Sequence, residues 1–201
     1  MPKIKNSKIL ILATDGFQQS ELEVPREKLA AVAQVVHVAA PKERKAKDSI
    51  TGWQNHDWGK PVNVDAELAD VSTSLYDALL LPGGQMNPDS LRENPEAMKL
   101  IKAFLAEGKV VAAVCHAPWL LIEANAVRGR KATSYNSIKT DMINAGGKWV
   151  DRDVVADDGI ITSRHPGDLD AFCAKIIEEI EEGEHPRRNR PAQAGLRPTA
   201  H

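Results

Sequence analysis

Short apolar runs alternate along the chain with segments of helical periodicity, and this alternation restricts the possible fold more than any other feature. The runs are continuous in hydrophobicity, which is typical of parallel strands buried on both faces. We predict strands at residues 8–13, 34–39, Ala78–Leu81, Val110–Val114 and Ile160–Ser163. Helical segments between the runs predict parallel βαβ units and a three-layer α/β fold.

The helical segments carry their own start and stop signals. Asn94 and Pro95 predict the start of a helix that ends before Gly108. Residues Leu169–Glu182 carry apolar side chains at helical spacing. Weaker patterns predict further helices at 24–33, 116–124 and 137–145, further strands at 62–64, 131–135 and 149–155, and a polar loop at 41–60 that carries Trp53 and Trp58.

Length and composition favour one globular domain. The chain has 201 residues, of which 42% are hydrophobic, enough to bury a sizeable core. This composition excludes disorder of the whole chain. Residues 184–201 differ, because they contain three prolines, four arginines and no apolar periodicity. We therefore predict an α/β domain over residues 1–183 and an extended C-terminal tail over residues 184–201.

Charge and cysteine content exclude several classes of protein. There are 26 basic and 28 acidic residues, so the broad basic surface of a nucleic-acid-binding protein is not expected. No apolar run reaches about 18 residues, so neither a membrane span nor membrane binding is expected. The N-terminal run lacks the cleavage site of a signal peptide. With Cys115 and Cys173 as the two cysteines, we expect no disulfide framework and a reducing, cytoplasmic location.

The chemistry is expected where the strand Val110–Val114 runs directly into Cys115 and a predicted helix. A strand, a nucleophile and a helix in this order are typical of a nucleophile elbow, with the small Ala117 allowing a sharp turn. The helix start favours the thiolate, and the backbone N–H groups of His116 and Ala117 are candidate donors to an oxyanion. The alternative is a buried cysteine followed by a surface histidine.

Three further segments follow predicted strands or lie in predicted loops. Glu21 is placed near the elbow, where a carboxyl beside a thiolate has a raised pKa and donates a hydrogen bond; it is otherwise an ordinary helix acid. Gly83 and Gly84 allow close backbone approach, and the Gly84 N–H is a candidate oxyanion donor; they are otherwise a plain turn. Asp89 is a candidate loop acid that orients His116, or a helix N-cap.

Five stretches together resemble the PfpI-type intracellular proteases, in the superfamily of the parkinsonism-associated deglycase and of class I glutamine amidotransferase domains. The resemblance spans about residues 7–182. The stretches are DGFQQSELEVP (15–25), ALLLPGG (78–84), AVCHAP (113–118), RGRKATSYNSIKTDMINAGG (128–147) and TSRHPGDL (162–169).

This resemblance implies a flavodoxin-like sandwich and a homodimer or higher homo-oligomer. It implies that Cys115 is the nucleophile, His116 its general base and Glu21 the acid that contacts the cysteine. Asp89 corresponds to an acid supplied to the histidine by a neighbouring subunit, although the family often has the longer Glu there, and Gln18 also departs from members with an acid. No metal or organic cofactor is implied, and the sequence has no paired histidines at metal-ligand spacing.

Two functional hypotheses follow. The first is an enzyme in which the Cys115 thiolate attacks a small dicarbonyl, a glycated side chain or a peptide bond, with the small carbonyl favoured because Glu21 crowds the elbow. The second is a stress sensor in which Cys115 is oxidised to sulfenic acid; Cys173 lies on a buried stripe and offers no resolving thiol. A glutaminase is disfavoured, because His165-Pro166-Gly167 lacks the glutamate of a His-x-Glu pair.

Overall fold

A seven-stranded sheet forms the middle of the molecule. The computed structural model describes residues 3–183 and His185. The strands in that part of the chain are β1 (Lys8–Leu12), β2 (Val35–Ala40), β3 (Ser49–Gln54), β4 (Asp57–Asn63), β5 (Ala66–Glu67), β6 (Ala78–Leu81), β7 (Val110–Val114), β8 (Lys131–Ala132), β9 (Lys148–Trp149), β10 (Val154–Asp157) and β11 (Ile160–Ser163). The sheet order is β10-β11-β7-β6-β1-β2-β5, while β3 pairs with β4 and β8 with β9.

Helices cover both faces of this sheet. The α-helices of the described residues are α1 (Gln19–Ala30), α2 (Met86–Glu93), α3 (Pro95–Ala106), α4 (Pro118–Glu123), α5 (Lys139–Asn144) and α6 (Leu169–Glu182). One face packs against α1 and α6, and the other against α2, α3, α4 and α5. The predicted flavodoxin-like three-layer sandwich is therefore confirmed, with one antiparallel strand, β10, at the edge.

Each buried strand feeds two hydrophobic cores. In β1, Leu10 and Leu12 join the core that contains Phe104 of α3, whereas Ile9 and Ile11 join the core of α1 and α6. These four side chains are fully buried. Successive side chains of a strand point to opposite faces, so a continuous apolar run supplies both cores at once.

The parallel strands end at one edge of the sheet, and this edge positions the chemistry-bearing residues. Strands β1, β6, β7 and β11 run in the same direction. The segments that follow β1, β6 and β7 carry Glu21, Gly83 and Cys115 respectively. In open α/β sheets this carboxyl edge is where ligands bind.

The segment 41–60 differs from the predicted loop, because most of it forms an antiparallel hairpin of β3 and β4. Asn55 and His56 make the two-residue turn with φ of 47° and 72°, a left-handed pair that suits the twist of a hairpin. Asparagine and histidine both adopt this conformation more often than most residues with a side chain. The predicted short strand at 62–64 overlaps the end of β4.

Two helices begin or lie where the sequence predicted otherwise. α1 begins at Gln19 rather than at residue 24 and includes Pro25 in its interior. α2 occupies the segment predicted as the loop of Asp89, with Pro88 in its first turn, where the missing N–H costs nothing. Each of these helices contains a proline, which weakens the local signal for a helix. Smaller differences are the shorter α4 and α5, the shorter β8, and the division of 149–155 between β9 and β10.

The ends of the domain add two observations. No helix among the described residues is long and apolar enough to cross a bilayer. The predicted tail at 184–201 lies outside the described residues, except for His185, whose backbone N–H donates to the Gly108 carbonyl over 3.1 Å. The division between domain and tail stays a prediction.

Packing of α6 on the sheet predicts the cost of truncating one side chain. Phe172 is fully buried in the core shared with α1, so Phe172→Ala should lower the free energy of unfolding by about 3–5 kcal/mol. Ile177→Ala, in the same helix but only partly buried, is the matched control and should lose less. Urea denaturation of both variants measures the difference, and equal losses would contradict this account of the core.

Candidate active site

Cys115 occupies a strained turn between β7 and α4. Its φ is 63°, a left-handed value that is uncommon for a residue with a side chain. The turn is held on both sides, because the Cys115 N–H donates to Ser163 O over 3.0 Å and its carbonyl accepts from the Tyr135 N–H over 2.8 Å. A strained backbone maintained by its surroundings is typical of functional sites.

Gly83 packs so closely against the elbow that no other residue fits. A Cβ at this position would lie 2.7 Å from the Cys115 Cβ and 2.6 Å from the Glu21 Oε2. The backbone after β6 therefore touches both side chains. This close approach brings the segments after β1, β6 and β7 into a single site.

Glu21 is a fully buried acid in the first turn of α1. Its Oε2 accepts a hydrogen bond from the Gly83 N–H over 2.9 Å, and the carboxyl lies beside the Cys115 thiol. Burial raises the pKa of Glu21 to about 8, against smaller opposing effects of the bonds to Cys115 and Gly83. The carboxyl therefore holds a proton at neutral pH. The sequence argument expected a raised pKa from a neighbouring thiolate, whereas burial is the cause in the structure.

Burial raises the pKa of the Cys115 thiol, and the charge of Glu21 raises it further. Hydrogen bonds from the backbone N–H groups of Gly84 and His116 lower it, but by less. This differs from the expectation that the start of the helix would favour the thiolate. The helix is short, and removal of the sulfur from water outweighs its dipole.

The donors that face the sulfur are only partly those that the sequence suggested. The Gly83 N–H is bonded to Glu21, and the Ala117 N–H donates to Val114 O over 3.0 Å, so neither is available to an oxyanion. The N–H groups of Gly84 and His116 point at the sulfur instead. The role of Gly83 is therefore to allow close packing against Cys115, and that of Ala117 is to close the turn between β7 and α4.

His116 meets the sulfur in spite of being its chain neighbour. The left-handed turn brings its Nδ1 to 3.1 Å from the Cys115 Sγ, and its Nε2 lies 3.0 Å from the Ser137 Oγ. Burial lowers the pKa of His116, so the ring is neutral at neutral pH. With a proton on Nε2 shared with Ser137, Nδ1 can accept the thiol proton.

Asp89 does not reach His116 within one chain. It lies on α2 with a side chain that is 70% exposed, and its carboxylate is 3.8 Å from the Arg92 guanidinium. Arg92 lies over the Trp119 ring at 5.7 Å, and Trp119 meets His116 edge-on at 5.3 Å. The histidine is oriented in this chain by Ser137, which the sequence analysis did not identify.

A cavity of about 390 Å³ opens over the sulfur. Residues that the sequence analysis did not select make up much of its wall, namely Trp53 from β3, Gln85, Tyr135 and Pro166. Gln18, Glu21, Gly84, Cys115 and His116 complete it. A turn signal at Asn55 could have indicated the hairpin that carries Trp53, whereas nothing in the sequence indicated Ser137.

Among the described residues, one group of side chains outside the candidate site lies close enough together to hold a metal ion. Oxygen and nitrogen atoms of Glu179, Glu182 and His185 lie within 4.8 Å of one another at the end of α6. The Glu179 carboxylate is already bonded to the Lys175 ammonium at 2.8 Å and lies 3.3 Å from His185. This group lies outside the cavity over Cys115.

Three similar proteins have names that describe an enzyme activity or a stress response. The chain is 41% identical to "Deglycase PfpI" of Pyrococcus furiosus, over 87% of this chain and 99% of that protein. It is 40% identical to "General stress protein 18" of Bacillus subtilis, over 87% and 98%. It is 38% identical to "Putative cysteine protease YraA" of the same bacterium, over 88% and 99%.

Comparison with solved structures and with family models points to the same group of proteins. The structure of DJ-1beta from Drosophila melanogaster superposes with a TM-score of 0.78 at 28% identity, covering 88% of this chain and 91% of that one. Residues 7–179 match the family described as DJ-1/PfpI. Names at this level of identity support an enzyme with a stress-response role. The chain belongs to the DJ-1/PfpI family.

Proposed function

We propose that this protein is a cysteine-dependent enzyme that converts reactive dicarbonyls, and the adducts they form on side chains, into hydroxy acids. The observation that carries the proposal is the contact of the Cys115 Sγ with the His116 Nδ1 at 3.1 Å, beside the neutral acid Glu21. A nucleophile, a base and an acid within one cavity suit addition to a carbonyl.

In the first step, His116 takes the thiol proton as the sulfur adds to the aldehyde carbon of the dicarbonyl. A hemithioacetal forms, and the N–H groups of Gly84 and His116, which point at the sulfur, are the candidate donors to the oxygen that gains charge. On a side-chain adduct, the sulfur instead displaces the amine from the carbon that carries it, and His116 returns the proton to that amine. The nucleophile is generated only during attack, which suits a thiol with a raised pKa.

The second step needs no external oxidant. The hydrogen of the former aldehyde carbon moves as a proton, through an enediol, to the neighbouring carbonyl carbon. The first carbon is thereby oxidised to a thioester while the second is reduced to an alcohol. Water then hydrolyses the thioester, which releases the hydroxy acid and restores the thiol. Methylglyoxal plus water thus gives lactate.

The size of the site favours a small substrate over a peptide. A volume of about 390 Å³ lies at the low end of the range for ligand cavities, roughly 300–1,000 Å³.

Hydrolysis of peptides by the same thiol is the alternative. Oxidation sensing is less well supported, because a thiol with a raised pKa forms less of the thiolate that peroxide attacks.

Removal of the thiol tests the reaction directly. Wild-type protein incubated with methylglyoxal should produce lactate, and Cys115→Ala should produce none above the spontaneous rate, as followed by proton NMR. Cys173→Ala removes the cysteine outside the cavity and is the matched control. Equal lactate from wild type and Cys115→Ala would disprove the mechanism, and none from either would leave peptide hydrolysis to be tested.

The raised pKa of Glu21 predicts how stability depends on pH. The folded protein keeps a proton that the unfolded chain releases above its ordinary pKa of 4.5, so the free energy of unfolding should fall as the pH rises from 4.5 to about 8. The slope is up to about 1.4 kcal/mol per pH unit. Glu21→Gln should remove this contribution, whereas Glu23→Gln, an exposed acid of α1, should retain it. Denaturant titrations at several pH values measure both slopes, and a slope unchanged by Glu21→Gln would contradict a neutral Glu21.

We further propose that a second copy of the chain completes the site, with Asp89 of one subunit near His116 of the other. In support, the Asp89 carboxylate is exposed on α2, and Arg92 of the same helix lies over the Trp119 ring that packs on His116. Asp89→Asn should then lower kcat/KM for methylglyoxal about tenfold or more. Sedimentation should give a dimer or larger assembly, and a fully active monomer would contradict this arrangement.

A further inference from the structure

One wall of the cavity comes from outside the central sheet. The hairpin of β3 and β4 reaches over the start of α1 and presents Trp53 to the space above Cys115. The Trp53 backbone is bonded to the segment that follows β1, because its backbone N–H donates to the Phe17 carbonyl over 2.6 Å and the residue forms a parallel bridge with Gln18. These contacts fix the backbone of Trp53 at the rim of the cavity that Cys115 also lines.

Gln19 holds the hairpin at one position. Its side chain is buried, and its Oε1 accepts the Lys60 N–H over 3.0 Å. A Cβ on Gly52 or Gly59 would lie 2.3 or 2.2 Å from that oxygen, so both strands close directly on the amide. Since Trp53 follows Gly52 in the chain, its position depends on this contact.

A second aromatic wall belongs to the other side of the site. The Tyr135 ring stacks on His116 with the centroids 4.8 Å apart and the planes 26° from parallel. Tyr135 is 41% exposed, which leaves much of it accessible. A substrate that reaches the sulfur thus meets aromatic side chains on two elements.

The remaining wall carries no formal charge at neutral pH. Glu21 is protonated and His116 is neutral, and the other lining side chains are amides, aromatic rings and a proline. No cation among the lining residues offers a partner to a carboxylate. Aromatic faces with amide donors and acceptors suit a planar, delocalised group that is neutral or cationic.

We propose that Trp53 is a specificity-determining residue that makes the site prefer adducts on the planar guanidinium of arginine over adducts on the flexible chain of lysine. A guanidinium stacks on an indole with its whole plane, whereas an ammonium is a strongly hydrated point charge. The inference rests on the proposed function, because the adduct must reach Cys115.

The test compares methylglyoxal adducts of Nα-acetyl-arginine amide and Nα-acetyl-lysine amide. Release of the free capped amino acid, followed by NMR, should give wild type about a tenfold preference for arginine in kcat/KM. Trp53→Ala should reduce the preference to within about twofold, and Trp53→Phe should retain part of it. A preference unchanged in Trp53→Ala, or equal turnover of the two adducts by wild type, would overturn the proposal.

Trp58→Ala is the matched control. Trp58 is the cross-strand partner of Trp53, its ring lies edge-on to Trp53 at 5.5 Å, and it does not line the cavity. Both substitutions remove one indole from the same pair, so both disturb the hairpin. Trp58→Ala should keep the arginine preference. An equal loss in both variants would mean that the fold of the hairpin, rather than contact with Trp53, carries the selectivity, and would overturn the proposal.

A binding measurement separates this proposal from the reaction. Saturation-transfer NMR on Cys115→Ala should show stronger transfer to Nα-acetyl-arginine amide than to the lysine compound, and Trp53→Ala in that background should remove the difference. If wild type turns over neither adduct but the binding difference is present, the proposed function fails and the role of Trp53 stands. If both adducts turn over equally and neither binds better, the role of Trp53 fails and the function stands.

Discussion

Close packing of Gly83 against Cys115 and Glu21 is the constraint on which the rest of the site depends. The three residues follow three parallel strands, and a side chain at Gly83 would collide with both of its neighbours. Because the thiol and the carboxyl are buried together, the pKa of each is raised. The site therefore stores protons on both groups and generates the nucleophile only when a substrate accepts the attack.

The protonation states of Glu21 and His116 also determine the charge of the cavity lining. With Glu21 and His116 uncharged, the space over the sulfur is bounded by aromatic rings, amides and backbone N–H groups. Such a site suits small neutral carbonyls and planar adducts. The left-handed turn at Cys115 completes the arrangement, because it brings His116 onto the same side as the sulfur that precedes it.

Local patterns predicted the central strands, the helices α3 and α6, and the meeting of Glu21, Gly84 and Cys115 at one edge. That meeting could be predicted because parallel strands bring the residues that follow them to a common edge. The hairpin of β3 and β4 was missed because the segment 41–60 is largely polar, although Asn55 in its turn is a local turn signal. Helix α2 was missed because Pro88 was read as part of a loop. Whether these two segments form regular structure or loops depends on contacts with distant residues rather than on neighbours in the chain.

The order of apolar runs and helical segments by itself determined the α/β sandwich, since buried parallel strands follow from chain order. It also placed Glu21 and Cys115 after strands that end at one edge, without deciding between a catalytic and a structural role for either residue. Tertiary structure decided which N–H groups donate to the sulfur and which side chains surround it. Of the candidate donors, contacts between segments directed the N–H groups of Gly84 and His116 at the sulfur, while those of Ala117 and Gly83 are bonded elsewhere. They also brought Ser137 to His116 and Trp53 to the cavity. Hydrogen bonds and burial of this kind depend on three-dimensional proximity, which a local pattern does not contain.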